Sequence, residues 1–149
     1  MSRTALLCAG LAALMLAGPV SAADTSTTTT AAPSGYAEAK AAVDARQYAQ
    51  ALRLLVPVVK AEPKNADAWN LMGYSSRHLK NYTEAARYYA LALRANPRHV
   101  GALEYQGELF VETGDYAKAR QNLLMLQSIC GGCEEAVDLQ NALYEAGQG

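Results

Sequence analysis

The sequence predicts an all-α solenoid of three stacked helix pairs closed by one further helix. Three observations predict it. Residue types recur at a step of 34: Tyr48, Tyr82 and Tyr116; Ala51, Ala85 and Ala119; the small residues Ala39, Gly73 and Gly107; and Pro63 with Pro97. Each stretch of that length carries two apolar periodicities of helical type, broken near Arg46-Gln47, Lys80-Asn81 and Gly114-Asp115. A last amphipathic segment follows at 134–146. A fixed period in this range marks small units that bury their apolar faces only against their neighbours.

The chain opens on an expected export signal, 1–22. Arg3 supplies a positive start, 5–17 is apolar, and Gly18-Pro19 breaks the run. Val20-Ser21-Ala22 then offers the small residues that a signal peptidase needs. At 1.5 Å per residue the apolar run reaches only about 20 Å, short of the roughly 30 Å hydrocarbon core, so cleavage is favoured over anchoring. Cys8 precedes most of the run, too early for a lipid-modified cysteine, and would leave with the signal. The expected product is periplasmic or secreted, with no stable membrane insertion. Removing Arg3 from 13 Lys and Arg leaves 12 against 14 Asp and Glu, a net charge of −2. No Lys/Arg cluster exists to neutralise phosphates, which argues against a nucleic-acid partner. The Thr- and Ala-rich stretch 23–35 has no apolar periodicity and is predicted to be a disordered spacer.

The three units, 32–65, 66–99 and 100–133, align without a gap and put the folded repeats at 36–133. The first is the most diverged, with Ala39, Ala42, Tyr48, Ala51, Leu55, Val58 and Pro63 in register. The second carries Trp69, Gly73, Tyr82, Ala85, Tyr89, Ala92 and Pro97. The third carries Leu103, Gly107, Phe110, Gly114, Tyr116, Ala119, Leu123 and Leu126. Gly73 and Ala85 have almost no side chain, so the two backbones of a pair can approach closely at normal packing distance. Tyr82 and Tyr116 open the second helices, where they can cover the seam to the next unit. Pro63 and Pro97 end one helix and turn the chain into the next. The segment 134–149 is predicted to be a capping helix and tail: Val137, Leu139, Leu143 and Tyr144 suit one buried stripe, and the other face is Glu, Asp, Gln and Asn.

Over 32–133 these recurring small, aromatic and proline positions resemble the tetratricopeptide repeat (TPR) family. The resemblance implies a right-handed superhelix whose concave face is lined by the first helix of each unit. By that resemblance Tyr36, Lys40 and Asp44 look inward from the first unit, Asn70, Tyr74, Arg77 and His78 from the second, and Glu104, Glu108 and Glu112 from the third. Apart from any family, the three glutamates are spaced i, i+4, i+8 and share one helix face, unneutralised within it. The implied groove would hold an extended peptide or a protein helix, acidic at its C-terminal end and suited to a partner segment carrying Lys or Arg. The competing reading is a solvated polar face. The Lys, Asn and Arg clamp that some members close on a chain-terminal carboxylate is absent, since the third unit offers glutamates where cations would be needed.

Two cysteines remain after the signal, in Ile129-Cys130-Gly131-Gly132-Cys133-Glu134, where Gly131 stands in the place of the recurring proline. One reading is a disulfide that pins the cap to the preceding helix: export implies an oxidising compartment, and an i, i+3 pair across a turn can meet the required Cα separation of about 5.5 Å. The other is a redox-active pair with Cys133 at a helix N-terminus. Glu134 and Glu135 oppose thiolate formation, and no β-α-β pattern precedes the motif. Metal is not expected, because His78 and His99 are distant in sequence and no second cysteine pair exists.

No nucleophile–base pair, phosphate loop or metal cluster is visible, so the expected protein is a non-catalytic, cofactor-free interaction module, a scaffold or assembly factor. The alternative is a periplasmic thiol–disulfide protein using Cys130 and Cys133. A third reading is self-assembly, in which the first helix pairs with a neighbour's cap; the polar cap argues against it.

Overall fold

A computed structural model describes residues 35–148, and the expected signal and nearly all of the spacer lie outside them. Seven helices follow in order: α1 (Tyr36–Asp44), α2 (Tyr48–Ala61), α3 (Ala66–His78), α4 (Tyr82–Ala95), α5 (Val100–Glu112), α6 (Tyr116–Cys130) and α7 (Glu134–Glu145). Among the described residues there is no strand, and no helix is long and apolar enough to cross a membrane. The helix starts at Ala66, Val100 and Glu134 fall one 34-residue step apart, as the alignment of units requires. Residue 35, placed at the end of the spacer, is the N-cap of α1: it is buried, and its N–H donates to Glu38 Oε2 at 2.7 Å.

The breaks within units repeat one piece of backbone chemistry. Arg46, Lys80 and Gly114 occupy the same repeat position, and all three have positive φ, at 59°, 62° and 81°. The following N–H of Gln47, Asn81 and Asp115 donates back five residues to Ala42, Ser76 and Phe110, at 2.7, 2.9 and 2.8 Å. This is the left-handed stop that closes a helix by satisfying its last carbonyls, and only Gly114 adopts it without side-chain strain. Between units, Asn65 and His99 cap the next first helix by accepting from Ala68 N at 2.9 Å and Ala102 N at 3.1 Å. Cys133 occupies the same register before α7 and makes no such side-chain bond. Pro57 lies inside α2 on its exposed side, where the missing N–H leaves one ladder bond unmade.

The core runs along the stack. Leu55, Val58 and Met72 join units one and two, Tyr89 and Leu109 join two and three, and Leu103, Leu126 and Leu139 seat α7. Ala51, Ala85 and Ala119 are wholly buried. The small first-helix positions do something other than bring backbones together: a Cβ on Gly73 would meet the Tyr89 ring at 2.5 Å, and one on Gly107 would strike the side chain of Leu139. Each glycine is thus a socket for a large side chain. The cap also departs from expectation. Leu139 and Leu143 are buried, together with Ala136, but Val137 is 45% and Tyr144 75% exposed. With no further helix beside α7 among the described residues, its apolar surface spans two faces and only one is covered.

Candidate functional site

Lys40, Asn70, Tyr74, Arg77, Glu108 and Glu112 lie on successive first helices, which pack α1 on α3, α3 on α5 and α5 on α7. A cleft of about 260 Å³ opens where these helices meet, lined by Lys40, Asp44, Asn70 and Tyr74 together with Tyr105. A second, of about 320 Å³, gathers Arg77, Glu108 and Glu112 with Glu145 of the cap. A more open hollow of about 770 Å³, between the 62–67 turn and Asn96, contains none of these groove residues. Tyr36 is half-buried at the start of α1 and lines neither groove cleft; its hydroxyl pKa is raised by burial and by Asp67.

An aromatic cluster organises the first cleft. Tyr74 packs against His78 at 4.3 Å between ring centres, against Tyr105 at 5.0 Å and edge-on to Tyr48 at 6.2 Å. Tyr48 in turn stacks on His78 at 4.6 Å. Burial raises the hydroxyl pKa of Tyr74 and pushes that of Tyr105 up to about 12, so both rings stay neutral at physiological pH. Burial, with Arg77 nearby, lowers that of His78, which favours an uncharged imidazole. Tyr48 and Tyr105 were not among the expected groove residues. Tyr48 is one of the repeated tyrosines and reads as seam packing; Tyr105 neighbours the glutamate row in sequence but has no repeating partner.

The acidic row, unneutralised within its own helix, meets cations from the preceding unit. Arg77, buried in α3, crosses the seam to Glu108 at 2.5 Å and Glu112 at 2.9 Å, and Lys80 adds a contact to Glu112 at 3.4 Å. The spacing of the glutamates along one helix could not reveal a cation from the previous unit. Arg77 also lies 5.9 Å from the Tyr74 ring centre and 5.8 Å from that of Tyr105, within cation–π range. Its Nε and the Tyr89 hydroxyl are both buried without a hydrogen-bond partner. Glu104 differs from its two row-mates. It is buried, and its carboxyl is pushed up to about 8 by desolvation, then by Glu108, Asp138 and Glu135. Protonated near neutrality, it adds little charge to the groove. Lys40 is engaged with Asp44 on its own helix at 3.2 Å. Anionic surplus therefore sits toward α5 and α7, where Glu108, Glu112, Glu135, Asp138 and Glu145 outnumber Arg77 and Lys80.

At the far end of the stack Cys130 closes α6 and Cys133 precedes α7. Their Cα atoms lie 5.6 Å apart with the sulfurs paired. Glu134 and Glu135 occupy the first turn of α7, beside Cys133.

Stacked helix pairs with a first-helix groove define a helical-repeat protein. A sequence profile for the tetratricopeptide repeat matches residues 36–97 and 82–129, and the chain belongs to that family. No curated protein matches it in sequence. Among solved structures it is similar to the second TPR domain of human RPAP3 in complex with the HSP70 peptide SGPTIEEVD, at 17% identity and a TM-score of 0.70. That match covers 79% of this chain and 96% of the other. The TPR2B domain of yeast Sti1 in its pHsp70 complex matches at 18% identity and 0.69, covering 75% and 92%. The Sgt2 TPR domain from Aspergillus fumigatus matches at 20% identity and 0.67, covering 76% and 80%. At these identities the likeness is one of fold.

Proposed function

We propose that the protein is an exported, non-catalytic interaction module that holds a peptide or protein segment along the first-helix groove. The observation that carries this reading is the 260 Å³ cleft, where side chains from α1, α3 and α5 converge on aromatic walls with amide and charged groups at the rim. Such a surface offers stacking and hydrogen bonds to an extended chain but no reacting constellation. Two of the structural neighbours are complexed with Hsp70 or an HSP70 peptide, and one such peptide ends in an acidic sequence. A tail of that charge fits this groove poorly, because Glu108 and Glu112 stand on α5 and the buried cation is already shared between them. A segment carrying Lys or Arg is favoured, with its basic residues toward α5 and α7.

Within the same reading, 1–22 directs export, 23–34 tethers the repeats, and the Cys130–Cys133 pair is an oxidised staple in the periplasm or outside the cell. Closing so short a loop contributes about 2 kcal/mol, comparable to what holds a terminal helix. Redox exchange is the weaker reading: Cys133 does stand at the N-terminus of α7, but Glu134 and Glu135 beside it disfavour a thiolate.

The test is partner capture from an envelope extract of the native host with the tagged full chain, compared with Asn70→Ala and Lys40→Glu. Lys118→Ala, on an exposed second-helix site, serves as control. A specific partner is expected to be lost with the groove variants and kept with the control. Retention of every partner by both groove variants would show that the groove is not the binding surface.

A further inference from the structure

We propose that the outer face of the second helices is a cationic stripe that adsorbs to an anionic lipid bilayer without entering it. Charge divides between the two layers of the solenoid. The second helices α2, α4 and α6 carry Arg53, Lys60, Arg87, Arg94, Lys118 and Arg120 against Glu84 alone. The first helices and α7 carry ten Asp and Glu against Lys40 and Arg77. The cations of the first two units also keep the period. Arg53 with Arg87, Lys60 with Arg94, and Lys64 with Arg98 in the turns that follow are each 34 residues apart. Within a helix the first two positions are seven residues apart and share one face. All six side chains are exposed. Arg87 is paired with Glu84 at 2.6 Å, and the other five form no ion pair among the described residues. Acids beside the turns have partners of their own: Glu62 accepts from Asn65 Nδ2 at 2.7 Å, and Asp67 faces His99 Nε2 at 2.9 Å. A cleft of about 360 Å³ gathers Lys64, Leu91 and Arg94, so the rows of neighbouring units meet across the seam. No run of Lys and Arg marks this cluster in the sequence, because its members lie four, seven or 34 residues apart.

What stands between the cations selects a bilayer as the occupant. On the same helix face the first unit has Val56 and Pro57, and the second has Ala90 and Leu91. The third keeps the apolar pair as Leu124 and Met125, 65% and 48% exposed, with Gln121 and Ser128 at the cation positions. Cations interleaved with apolar side chains fit the boundary between lipid headgroups and acyl chains. A single-stranded nucleic acid calls for stacking aromatics between the cations, and a peptide for hydrogen-bonding groups along a groove. The side chains between these cations are neither. No helix among the described residues is long and apolar enough to cross a membrane, so the contact is adsorption. Lipid charge that attracts the second helices repels the acidic first helices, which turns the groove away from the surface. The stripe uses none of the groove residues, so loss of either leaves the other intact.

Vesicle flotation of the full chain, purified from its native host after any processing of 1–22 is complete, tests the assignment. Vesicles of phosphatidylcholine with about 30 mol% phosphatidylglycerol should bind it at about 0.1 M salt and release it at about 0.5 M. Pure phosphatidylcholine vesicles should bind far less. Lys60→Gln and Arg94→Gln, exposed and expected to stay folded by circular dichroism, should each lower the partition about fivefold, and together about twenty-five-fold. Arg46→Gln removes the same charge about 20 Å away along α2 and should change the partition by less than about twofold. Anionic vesicles that bind no better than neutral ones overturn the proposal. So does an equal loss in Arg46→Gln and Lys60→Gln, which would make net charge the cause. Retention on duplex DNA with no binding to vesicles also overturns it, by giving the face to a soluble polyanion.

Discussion

Arg77 and Glu112 stand in different repeats, yet the Arg77 Nη1 and Glu112 Oε1 atoms lie 2.9 Å apart. With Glu108 on the same guanidinium, one buried cation ties α3 to α5 and fixes the register of the second seam. Replacing Arg77 with Met should cost about 1.5–3 kcal/mol, the range for hydrogen bonds to charged groups. A double-mutant cycle with Glu112→Gln, followed by urea unfolding, should return a coupling of about 1 kcal/mol. A coupling near zero would mean the contact is incidental.

Glu104 makes stability depend on pH in a definite direction. Its carboxyl moves from 4.5 to about 8 on folding, so the folded state holds the proton more tightly. Stability from this group is complete below pH 4.5, declines as pH rises through 8, and is level above that. The slope is at most about 1.4 kcal/mol per pH unit. Glu104→Gln should match the natural chain at pH 5 and exceed it at pH 9, read from urea midpoints. Because Glu135 and Asp138 contribute to the shift from α7, hydrogen exchange at high pH should rise first in the cap.

Gly73 and Tyr89 form a socket and a plug. Helix propensity alone would make Gly73→Ala stabilising by about 1 kcal/mol. The Cβ contact at 2.5 Å predicts net destabilisation instead, since overpacking typically costs about 1–3 kcal/mol. Tyr89→Leu in the same chain should recover part of the loss, and thermal melts of the four combinations suffice to show it.

Arg46 holds a left-handed conformation that a glycine adopts without cost. Arg46→Gly should therefore raise stability by about 1 kcal/mol, measured by denaturant unfolding. Lys80 shares the conformation, but Lys80→Gly should gain less, because it gives up the contact to Glu112. Gly114→Ala should lose about as much as Arg46→Gly gains.

Much of the fold was legible because each unit repeats the same local instructions. The starts of α3 and α5, the breaks at Arg46, Lys80 and Gly114, and the buried alanines follow from residues recurring at one step. The candidate site was legible only by register. Lys40, Asn70 and Tyr74 come together in a cleft as their positions imply, but Tyr105 joins them from a position with no repeating partner, and Tyr48, a recurring tyrosine, packs behind them on Tyr74 and His78. The glutamate row carries no cation on its own helix, and a single helix cannot disclose that an arginine about one repeat earlier reaches it across the seam. Val137 and Tyr144 suit a buried stripe in sequence yet stand exposed, because apolar residues on a helix indicate what could be covered, not whether a neighbour is present.

By itself, then, the sequence determined the period, the helix pairs, the family and the helix that follows the third unit. Local propensity, capping and binary patterning act within a few residues of each position, and the repeat multiplies them three times. The tertiary structure alone decided which glycine receives which ring, that a buried arginine quiets the acidic row, that Glu104 carries a raised pKa, and that one face of α7 stays open. Those outcomes depend on distances across seams between residues far apart in the chain, where burial and charge are set by neighbours.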